Sequence, residues 1–474
     1  MESKVLKSTQ IFILATSILI TLFITLLCIG FLVRYEVNND VSSKRSVAYW
    51  NDKLSKEQEI WFNKGIDELK TALNLRINRR KAKNVIIFVA TGIDADVLAA
   101  ARLGGALMPS NPAMSWDSFP HLGMLMHECN SMQCCEPLSR ATTLFGGIKT
   151  SLRLGGLDST VPLKSCSAAL NSSHHIKSIM QLAQEAGKRS GFITTGRVTA
   201  PNSAALYAHV ADADWECDAS MTRRKREGGC RDIARELMET QTGRSFNVIM
   251  GGGRQTLVAN APAEANDPLD DTACNSRDRR NLIRDWQKQK SLDKKSFVVL
   301  KNPTDLARVN GSNVDYALGI FANGNLQPKY NNTPLLKDMV SKAIAVLNRS
   351  QGFLMVVSAI VEPHYGRQIQ FQILHNLNEA VAKTLALMQN DLENTLLVVL
   401  FENTVGNNLS GISKKDSEVE MNNQKSSRDN ILRSLVSDTV IYAQGPKAFL
   451  LQGLHDEIYL AHVIRYALNI GPLD

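Results

Sequence analysis

Apolar residues along the chain recur in short continuous runs that alternate with stretches of helical spacing. Continuous apolar runs bounded by turn residues are typical of strands buried on both faces. Amphipathic stretches such as residues 59–73 and 375–389 predict helices between them. The sequence therefore predicts an α/β fold of three layers, with a central, mostly parallel sheet flanked by helices. The runs predicted to be strands are Asn84–Ala90, Gly191–Arg197, Phe246–Gly253, Phe353–Ala359, Thr395–Asn403 and Asp438–Gly445.

The turns that follow these strands are where a ligand site is expected, because ligands of open parallel sheets bind beyond the carboxyl ends of the strands. Three of these turns carry Thr91–Ile93, Ser358–Glu362 and Glu402–Thr404. A metallohydrolase needs imidazole and carboxylate ligands there to hold zinc. None of the three turns contains a histidine.

An uncharged apolar run, Ile11–Val33, precedes the predicted domain and is long enough to cross a membrane as a helix. A cleaved signal peptide is the alternative, but it would have a shorter apolar region and a small-residue cleavage site. We therefore expect a single-pass, type II signal anchor with residues 1–10 as a cytoplasmic tail, residues 34–49 as a stalk, and residues 50–474 as one domain outside the cell or in the lumen. The flanking charges nearly balance and do not decide this orientation.

The cysteines and glycosylation triplets favour that orientation. Paired C-x-x-C zinc knuckles are absent, so disulfide bonds in an oxidising compartment are the favoured interpretation, with one thiol left over. Asn-x-Ser/Thr triplets agree with a lumenal glycoprotein, although an Asn-rich chain also produces them by chance. The seven cysteines outside the apolar run are Cys129, Cys134, Cys135, Cys166, Cys217, Cys230 and Cys274, and the triplets begin at Asn171, Asn310, Asn331, Asn348 and Asn408.

Composition limits the partners. The chain has 474 residues, of which 44% are hydrophobic, so it can bury a large core. Its formal net charge of +8 favours anionic ligands or surfaces, but the basic residues are scattered and are better explained as a solvated face. No nucleic-acid motif accompanies them, and no nucleic-acid partner is expected.

Framework motifs spread along the chain resemble those of the alkaline phosphatase family. The resemblance spans nearly all of residues 50–470, and it implies the fold of that family. It also implies the family's reaction, in which a serine takes phosphate from a monoester with the help of zinc, magnesium and a phosphate-gripping arginine. The motifs are AKNVIIFVATGIDADVLAAARL, SRATTLFGGIKTS, AGKRSGFITTGRVTAPNSAALYAHV, GGCRDIA, NVIMGGGR and DTVIYAQGPKAFLLQGLHDEIYLAHVI.

At the position of the family's nucleophile, however, this sequence departs from the pattern. By resemblance, the Asp-Ser pair that carries the nucleophile falls on Glu136 and Pro137. Proline suits the first turn of a helix, but it has no hydroxyl to attack phosphorus. Ser139 cannot replace it, because two residues along a helix turn a side chain to another side.

The metal-ligand positions depart from the family in the same way. The resemblance leaves Glu362 and Glu402 as the acidic residues at these positions, where they would be either weak ligands of a hard cation or carboxylates that are solvated or paired with arginine. No bound cofactor is therefore expected, although the family uses zinc and magnesium. The aligned positions hold Thr91, Ala200, Asn202, Val357, Glu362, Gly366, Glu402, Asn403 and Ser434, with His364 two residues from Gly366.

Two further features follow from the resemblance. Arg197 keeps the phosphate-binding arginine, and two roles for it stay open, which are gripping phosphate or pairing with Glu136 or Glu402. Cys166 and Cys230 match the disulfide-bonded pair of the family, while the pairing of the other cysteines is not implied.

The combined prediction is a membrane-anchored alkaline phosphatase homologue that lacks catalysis. Without the nucleophile and the imidazoles, the chain has no means to form the covalent intermediate or to activate an oxygen. It would act by binding an anionic ligand, or by dimerising with itself or with an active homologue. The alternative is an active phosphate monoester hydrolase with altered metal ligands.

Overall fold

The chain divides into two compact units, residues 1–76 and 77–474. In this computed structural model the described residues are 20–30, 54–93, 95–103, 113–127, 136–327, 332–362, 365–402 and 438–471.

The first unit contains two described helical segments. Residues 20–30 are helical, and α1 (Lys56–Leu73) begins at a capping box formed by Ser55 and Gln58, which confirms the helix predicted from residues 59–73. Among the residues that the structure describes, no helix is both long enough and apolar enough to span a membrane. The rest of the predicted anchor Ile11–Val33 and the predicted stalk lie outside the described residues.

The second unit is built on a ten-stranded sheet with the strand order β10-β2-β9-β8-β1-β7-β3-β4-β6-β5. Only β9 runs antiparallel to its neighbours, β8 and β2, so the sheet is mostly parallel as predicted. All six predicted strands are present, as β1, β3, β4, β7, β8 and β9. The strands are β1 (Asn84–Thr91), β2 (His121–Met126), β3 (Arg189–Arg197), β4 (Val248–Gly252), β5 (Phe297–Leu300), β6 (Tyr316–Ile320), β7 (Phe353–Ile360), β8 (Thr395–Glu402), β9 (Thr439–Gln444) and β10 (Gly453–Asp456).

Helices surround this sheet. The predicted helix at residues 375–389 is confirmed as part of a longer helix, α14. The helices of the second unit are α2 (Ala95–Leu103), α3 (Pro137–Gly146), α4 (Cys166–Ala169), α5 (Ile179–Glu185), α6 (Pro201–Ala204), α7 (Arg223–Glu227), α8 (Ile233–Glu239), α9 (Gln241–Ser245), α10 (Arg254–Leu257), α11 (Leu282–Leu292), α12 (Pro303–Arg308), α13 (Leu336–Leu347), α14 (Arg367–Met388) and α15 (Tyr459–Leu468). Short 3-10 turns lie at Ser115–Ser118, Ser172–His174, Asp218–Ser220, Gly311–Asn313, Leu392–Asn394 and Ala448–Leu451.

The two faces of the sheet carry separate hydrophobic cores. Successive residues of a strand point to opposite faces, so β1 contributes Val85, Ile87 and Val89 to one core and Ile86, Phe88 and Ala90 to the other. Helices α3, α5 and α15 pack into the first core, and α13 and α14 pack into the second. This arrangement of helix, sheet and helix is the predicted three-layer α/β fold.

Two disulfide bonds lie in the second unit. Cys166 is bonded to Cys230, the pair that the resemblance implies, and Cys217 is bonded to Cys274. Cys230 and Cys217 belong to the described core residues, and Cys230 packs in a small cluster with Leu157 and Trp215. The remaining predicted disulfide cysteines, Cys129, Cys134 and Cys135, lie outside the described residues.

Candidate active site

The carboxyl ends of three central strands lie level with one another. Thr91 at the end of β1 pairs in register with Ile360 of β7 and with Glu402 of β8. Gly92 then turns the chain at a φ of +84°, where an added Cβ would lie 2.5 Å from the carbonyl oxygen of Val361. Only glycine fits this turn, because both its backbone angle and its contact exclude a side chain. The register brings Thr91 and Glu402 together at the predicted ligand-binding edge.

Asn202, Thr91 and Glu402 form a chain of hydrogen bonds at this edge, which we call the Thr91 network. Asn202 Nδ2 donates to Thr91 Oγ1 over 2.6 Å, and Thr91 Oγ1 donates to Glu402 Oε2 over 3.3 Å. All three residues are buried. Burial raises the pKa of the Glu402 carboxyl, and the positive charge of Arg140 opposes that rise.

A second cluster of buried polar and ionisable side chains lies next to Glu402. The side chains of His127 and Glu457 are 2% and 7% exposed, and His127 Nδ1 lies 2.8 Å from Glu457 Oε2. Arg140 Nε lies 3.8 Å from the same carboxylate oxygen, and Arg140 Nη2 donates to Thr439 Oγ1 over 2.8 Å. A guanidinium that takes part in such contacts is a fixed positive charge inside the protein. Arg140 therefore supplies a permanent cation beside the carboxylates of Glu402 and Glu457.

Helix α3 begins at Pro137, as its sequence predicts, with Glu136 as the N-cap. Glu136 Oε2 accepts hydrogen bonds from the backbone N–H groups of Leu138 and Ser139, each over 3.1 Å. Ser139 Oγ donates to the Glu136 carbonyl oxygen over 3.0 Å, and Ser139 is 1% exposed. Burial raises the pKa of the Glu136 carboxyl, and these N–H donors oppose the rise. Ser139 and Glu136 thus stabilise the start of the helix together.

Arg197 does not contact the partners that the sequence suggested. Its Nε donates to Glu216 Oε1 over 2.7 Å, and its Nη1 donates to Asp270 Oδ2 over 3.4 Å. Burial disfavours the charge of Arg197, but Glu216 and Asp270 hold the pKa of its guanidinium above the usual value. Of the two roles left open for Arg197, pairing with a carboxylate is seen with Glu216 and Asp270. Glu136 instead caps α3, and Glu402 belongs to the Thr91 network.

Glu362 lies on the Arg197 side of the site. It accepts a hydrogen bond from Asn325 Nδ2 over 2.6 Å, and Asn325 Oδ1 accepts one from the backbone N–H of Arg197 over 2.9 Å. The two acidic residues considered as metal ligands, Glu362 and Glu402, are thus in different hydrogen-bond networks. Of the other aligned positions, Ala200 and Val357 are buried apolar residues, and Gly366 precedes α14 as its N-cap.

Several residues of the site were not found from the sequence, namely Arg140, His127, Glu457, Glu216 and Asp270. Only one of them carried a local signal, since Arg140 is the single charged residue in the otherwise uncharged helix α3. The aligned positions His364, Asn403 and Ser434 lie outside the described residues.

Comparison with known proteins gives the family. The family described as "Alkaline phosphatase" matches residues 82–436, which is most of the chain. The chain belongs to the alkaline phosphatase family. Among its relatives, the human "Alkaline phosphatase, tissue-nonspecific isozyme" is 28% identical over 476 residues, covering 88% of this chain and 89% of the relative. The "Membrane-bound alkaline phosphatase" of Bombyx mori is 29% identical over 386 residues, covering 78% of this chain and 68% of the relative.

The fold agrees with this membership. The crystal structure of the Thermus thermophilus alkaline phosphatase superposes with a TM-score of 0.59 at 16% sequence identity, covering 84% of this chain and 94% of that structure. The resemblance to alkaline phosphatases that the sequence motifs indicated is therefore confirmed, as is the predicted fold class.

The described positions that the resemblance aligns with metal ligands do not provide the ligands that the zinc and magnesium of the family would need. Zinc takes thiolate, imidazole and carboxylate ligands, and magnesium takes oxygen ligands. Here Asn202 directs an N–H group at Thr91. Ala200, Val357 and Gly366 have no side-chain atom that could bind a metal. Among the residues that the structure describes, no group of three or more His, Cys, Asp or Glu side chains is arranged to hold a metal.

Proposed function

We propose that this alkaline phosphatase homologue is catalytically silent and acts by binding. The observation that supports it most directly is the start of α3, where Pro137 occupies the first helical position and Glu136 accepts the free N–H groups. The position that the resemblance assigns to the nucleophile thus carries no hydroxyl or thiol. The nearest serine, Ser139, is buried and donates its hydroxyl to the Glu136 carbonyl oxygen. Covalent phosphate transfer needs an activated nucleophile at this place.

The Thr91 network supports the same proposal. A catalytic metal site presents lone pairs to the ion, but Asn202 and Thr91 direct their hydrogens along one chain that ends on Glu402. The neighbouring Arg140 supplies a positive charge from the protein itself. The protein's own groups therefore supply hydrogen-bond partners and a counter-charge to the polar side chains that are buried at this edge of the sheet.

Membrane anchoring is part of this proposal. The apolar run Ile11–Val33 supports it, and one relative from Bombyx mori carries the name "Membrane-bound alkaline phosphatase". We place the domain that follows outside the cell or in the lumen. The binding partner that the resemblance favours is a second copy of this chain or an active homologue, because the family is typically homodimeric.

The decisive measurement is hydrolysis of a chromogenic phosphate monoester by the purified full-length chain. We expect no turnover above a mock preparation, with or without added zinc and magnesium, because the nucleophile and the imidazoles are missing at the aligned, described positions. The matched control is Arg197→Ala, which removes the arginine that the resemblance assigns to phosphate binding. Wild type and this variant should be indistinguishable.

Turnover by the wild-type chain that is abolished by a chelator and reduced at least tenfold in Arg197→Ala would instead establish the alternative, an active hydrolase with altered ligands. Activity equal in both proteins would come from a contaminant. Pro137→Ser alone should restore nothing, because a hydroxyl without an activating base or metal is a weak nucleophile.

A second prediction tests the side of the membrane on which the domain lies. Asn171, Asn310 and Asn348 begin triplets and are exposed in the structure. If the domain passes through the secretory pathway, treatment with an endoglycosidase should increase the electrophoretic mobility of the chain. Replacing these three residues with glutamine should reduce that shift. A chain whose mobility does not change with glycosidase or with the replacements would contradict the proposed orientation.

A further inference from the structure

A short pattern of basic residues occurs twice in the second unit. Residues 223–226 and 277–280 both have the order Arg-x-Lys/Arg-Arg. Subtilisin-like endoproteases of the secretory pathway cut after the last arginine of this pattern, because carboxylates in their substrate clefts complement its positive charges. The burial of the two segments distinguishes between them.

The segment at residues 277–280 is not accessible to such a protease. The side chain of Arg280 is 2% exposed and is bound to the carboxylates of Asp232 and Asp278. A protease must enclose the arginine that precedes the bond it cuts, and nicking concentrates at exposed loops. The last arginine of this segment therefore serves buried ion pairs.

The segment at residues 223–226 is exposed instead. It forms most of α7, a helix of five residues in which none is buried. The side chain of Arg223 is 84% exposed and forms an ion pair with the exposed Glu227. A single helical turn is marginal by itself, and two glycines, Gly228 and Gly229, follow it. The segment can therefore open into the extended form that a protease cleft binds.

Polar contacts and two disulfide bonds hold this turn on the domain. Arg226 Nη1 donates to the carbonyl oxygens of Asp218 and Met221, over 2.7 and 2.9 Å. Disulfide bonds at Cys217 and Cys230 fix the chain on both sides of α7. Opening of the turn breaks the polar contacts but leaves these covalent anchors in place, so it stays local.

We propose that the peptide bond between Arg226 and Glu227 is a processing site for an endoprotease of this class. Hydrolysis breaks the C–N bond and adds one water, which leaves a carboxylate on Arg226 and an amino group on Glu227. The inference rests on the part of the proposed function that places the domain in the secretory pathway. Its product is a protein of two chains, residues 1–226 and 227–474.

The disulfide bonds keep these two chains together. Cys166 and Cys217 precede the cut, and their partners Cys230 and Cys274 follow it. Both disulfide bonds therefore join the first chain to the second.

The sheet also holds the two chains. Strands β1, β2 and β3 belong to the first chain, and each lies between two strands of the second. The processed protein therefore remains one folded body, and its chains separate only when it is both reduced and denatured.

The test is expression of the full-length chain in cells that make such endoproteases, followed by denaturing gels with and without reductant. The wild type should give a single band without reductant and two shorter bands with it. Sequencing of the new N-terminus should begin at Glu227, whereas a cut after the buried Arg280 would begin at Asn281.

Two single substitutions test the pattern itself. Arg223→Met should lower the rate of cutting at least tenfold, and the 84% exposure of its side chain means that the fold tolerates the change. Arg224→Met is the matched control, because it removes the same charge from the position that the pattern leaves open. It should be cut as fast as the wild type.

A purified endoprotease of this class, added to the folded chain, separates the site from its location. The proposal is overturned if the wild type stays whole with this enzyme, if Arg223→Met is cut as fast as the wild type, or if the new N-terminus is Asn281. It is also overturned if the chain stays whole in cells although it carries sugar that a glycosidase removes. A chain that is cut by the purified enzyme, but in cells stays whole and lacks such sugar, supports the site and contradicts the proposed orientation.

Discussion

Replacing Arg280 with methionine should lower the free energy of unfolding by about 3–5 kcal/mol, because it leaves buried carboxylates without their cation. Arg280 is 2% exposed at its side chain and binds Asp232 through two hydrogen bonds of 2.9 and 2.8 Å. It also donates to Asp278 over 2.7 and 2.6 Å and lies 3.6 Å from the buried Asp218. Urea denaturation of the wild type and of Arg280→Met measures the difference.

Arg223→Met is the matched control for that experiment. Arg223 also binds a carboxylate, that of Glu227, but the two side chains are 84% and 62% exposed. Exposed ion pairs of this kind contribute about 0–1 kcal/mol, so Arg223→Met should change stability little. If the two substitutions lowered the free energy of unfolding equally, burial would not explain the contribution of the Arg280 ion pairs to stability.

The second large effect is a rise of stability with pH that depends on Lys290. Burial lowers the pKa of Lys290 to about 8 from a usual value of 10.5, although its Nζ donates to the Arg244 carbonyl oxygen over 2.7 Å. Between these two pH values the unfolded chain keeps the proton that the folded chain has lost. The unfolded state therefore binds more protons, and stability rises with pH. From pH 7 to 9.5, the free energy of unfolding of the wild type should rise by about 2 kcal/mol more than that of Lys290→Met.

Urea denaturation at the two pH values measures that gain, and the variant removes the contribution of other groups that titrate in the same window. Lys288→Met provides the control on the same helix, because Lys288 is 60% exposed at its side chain. The stability of Lys288→Met should change with pH in the same way as that of the wild type. A wild type and a Lys290→Met variant with parallel pH profiles would contradict the prediction.

The six predicted strands are those whose apolar runs are long and continuous, and all of them take part in the sheet. Of the four strands that were missed, three lack this signal, whereas β6 is a continuous apolar run, Tyr316–Ile320, that the prediction overlooked. Strands β5 and β10 have four residues each, and β2 alternates buried and exposed positions over only six residues. Short segments of this kind take their conformation from neighbouring strands, so a pattern along the chain cannot distinguish them from loops.

The candidate site was also predicted only in part. Thr91 and Glu402 were expected at one edge because parallel strands of known direction end together, and the register confirms that they meet. The role of Arg197 was left open, and its partners Glu216 and Asp270 were not found, because the sequence shows which residues carry charge but not where their side chains point. Arg197 and Asp270 lie 73 positions apart, and only the folded chain brings them together.

The position of β1 also determines when the sheet can form. This strand comes first in the sequence of the second unit's sheet, yet both of its neighbours, β7 and β8, are encoded about 270 and 310 residues later. At a ribosomal rate of roughly 5–20 residues per second, β7 is synthesised between about ten seconds and one minute after β1. During that interval the strand has two unpaired edges and no core to enter. An apolar strand with unpaired edges is prone to aggregate, so the chain is most exposed to aggregation before β7 has been synthesised.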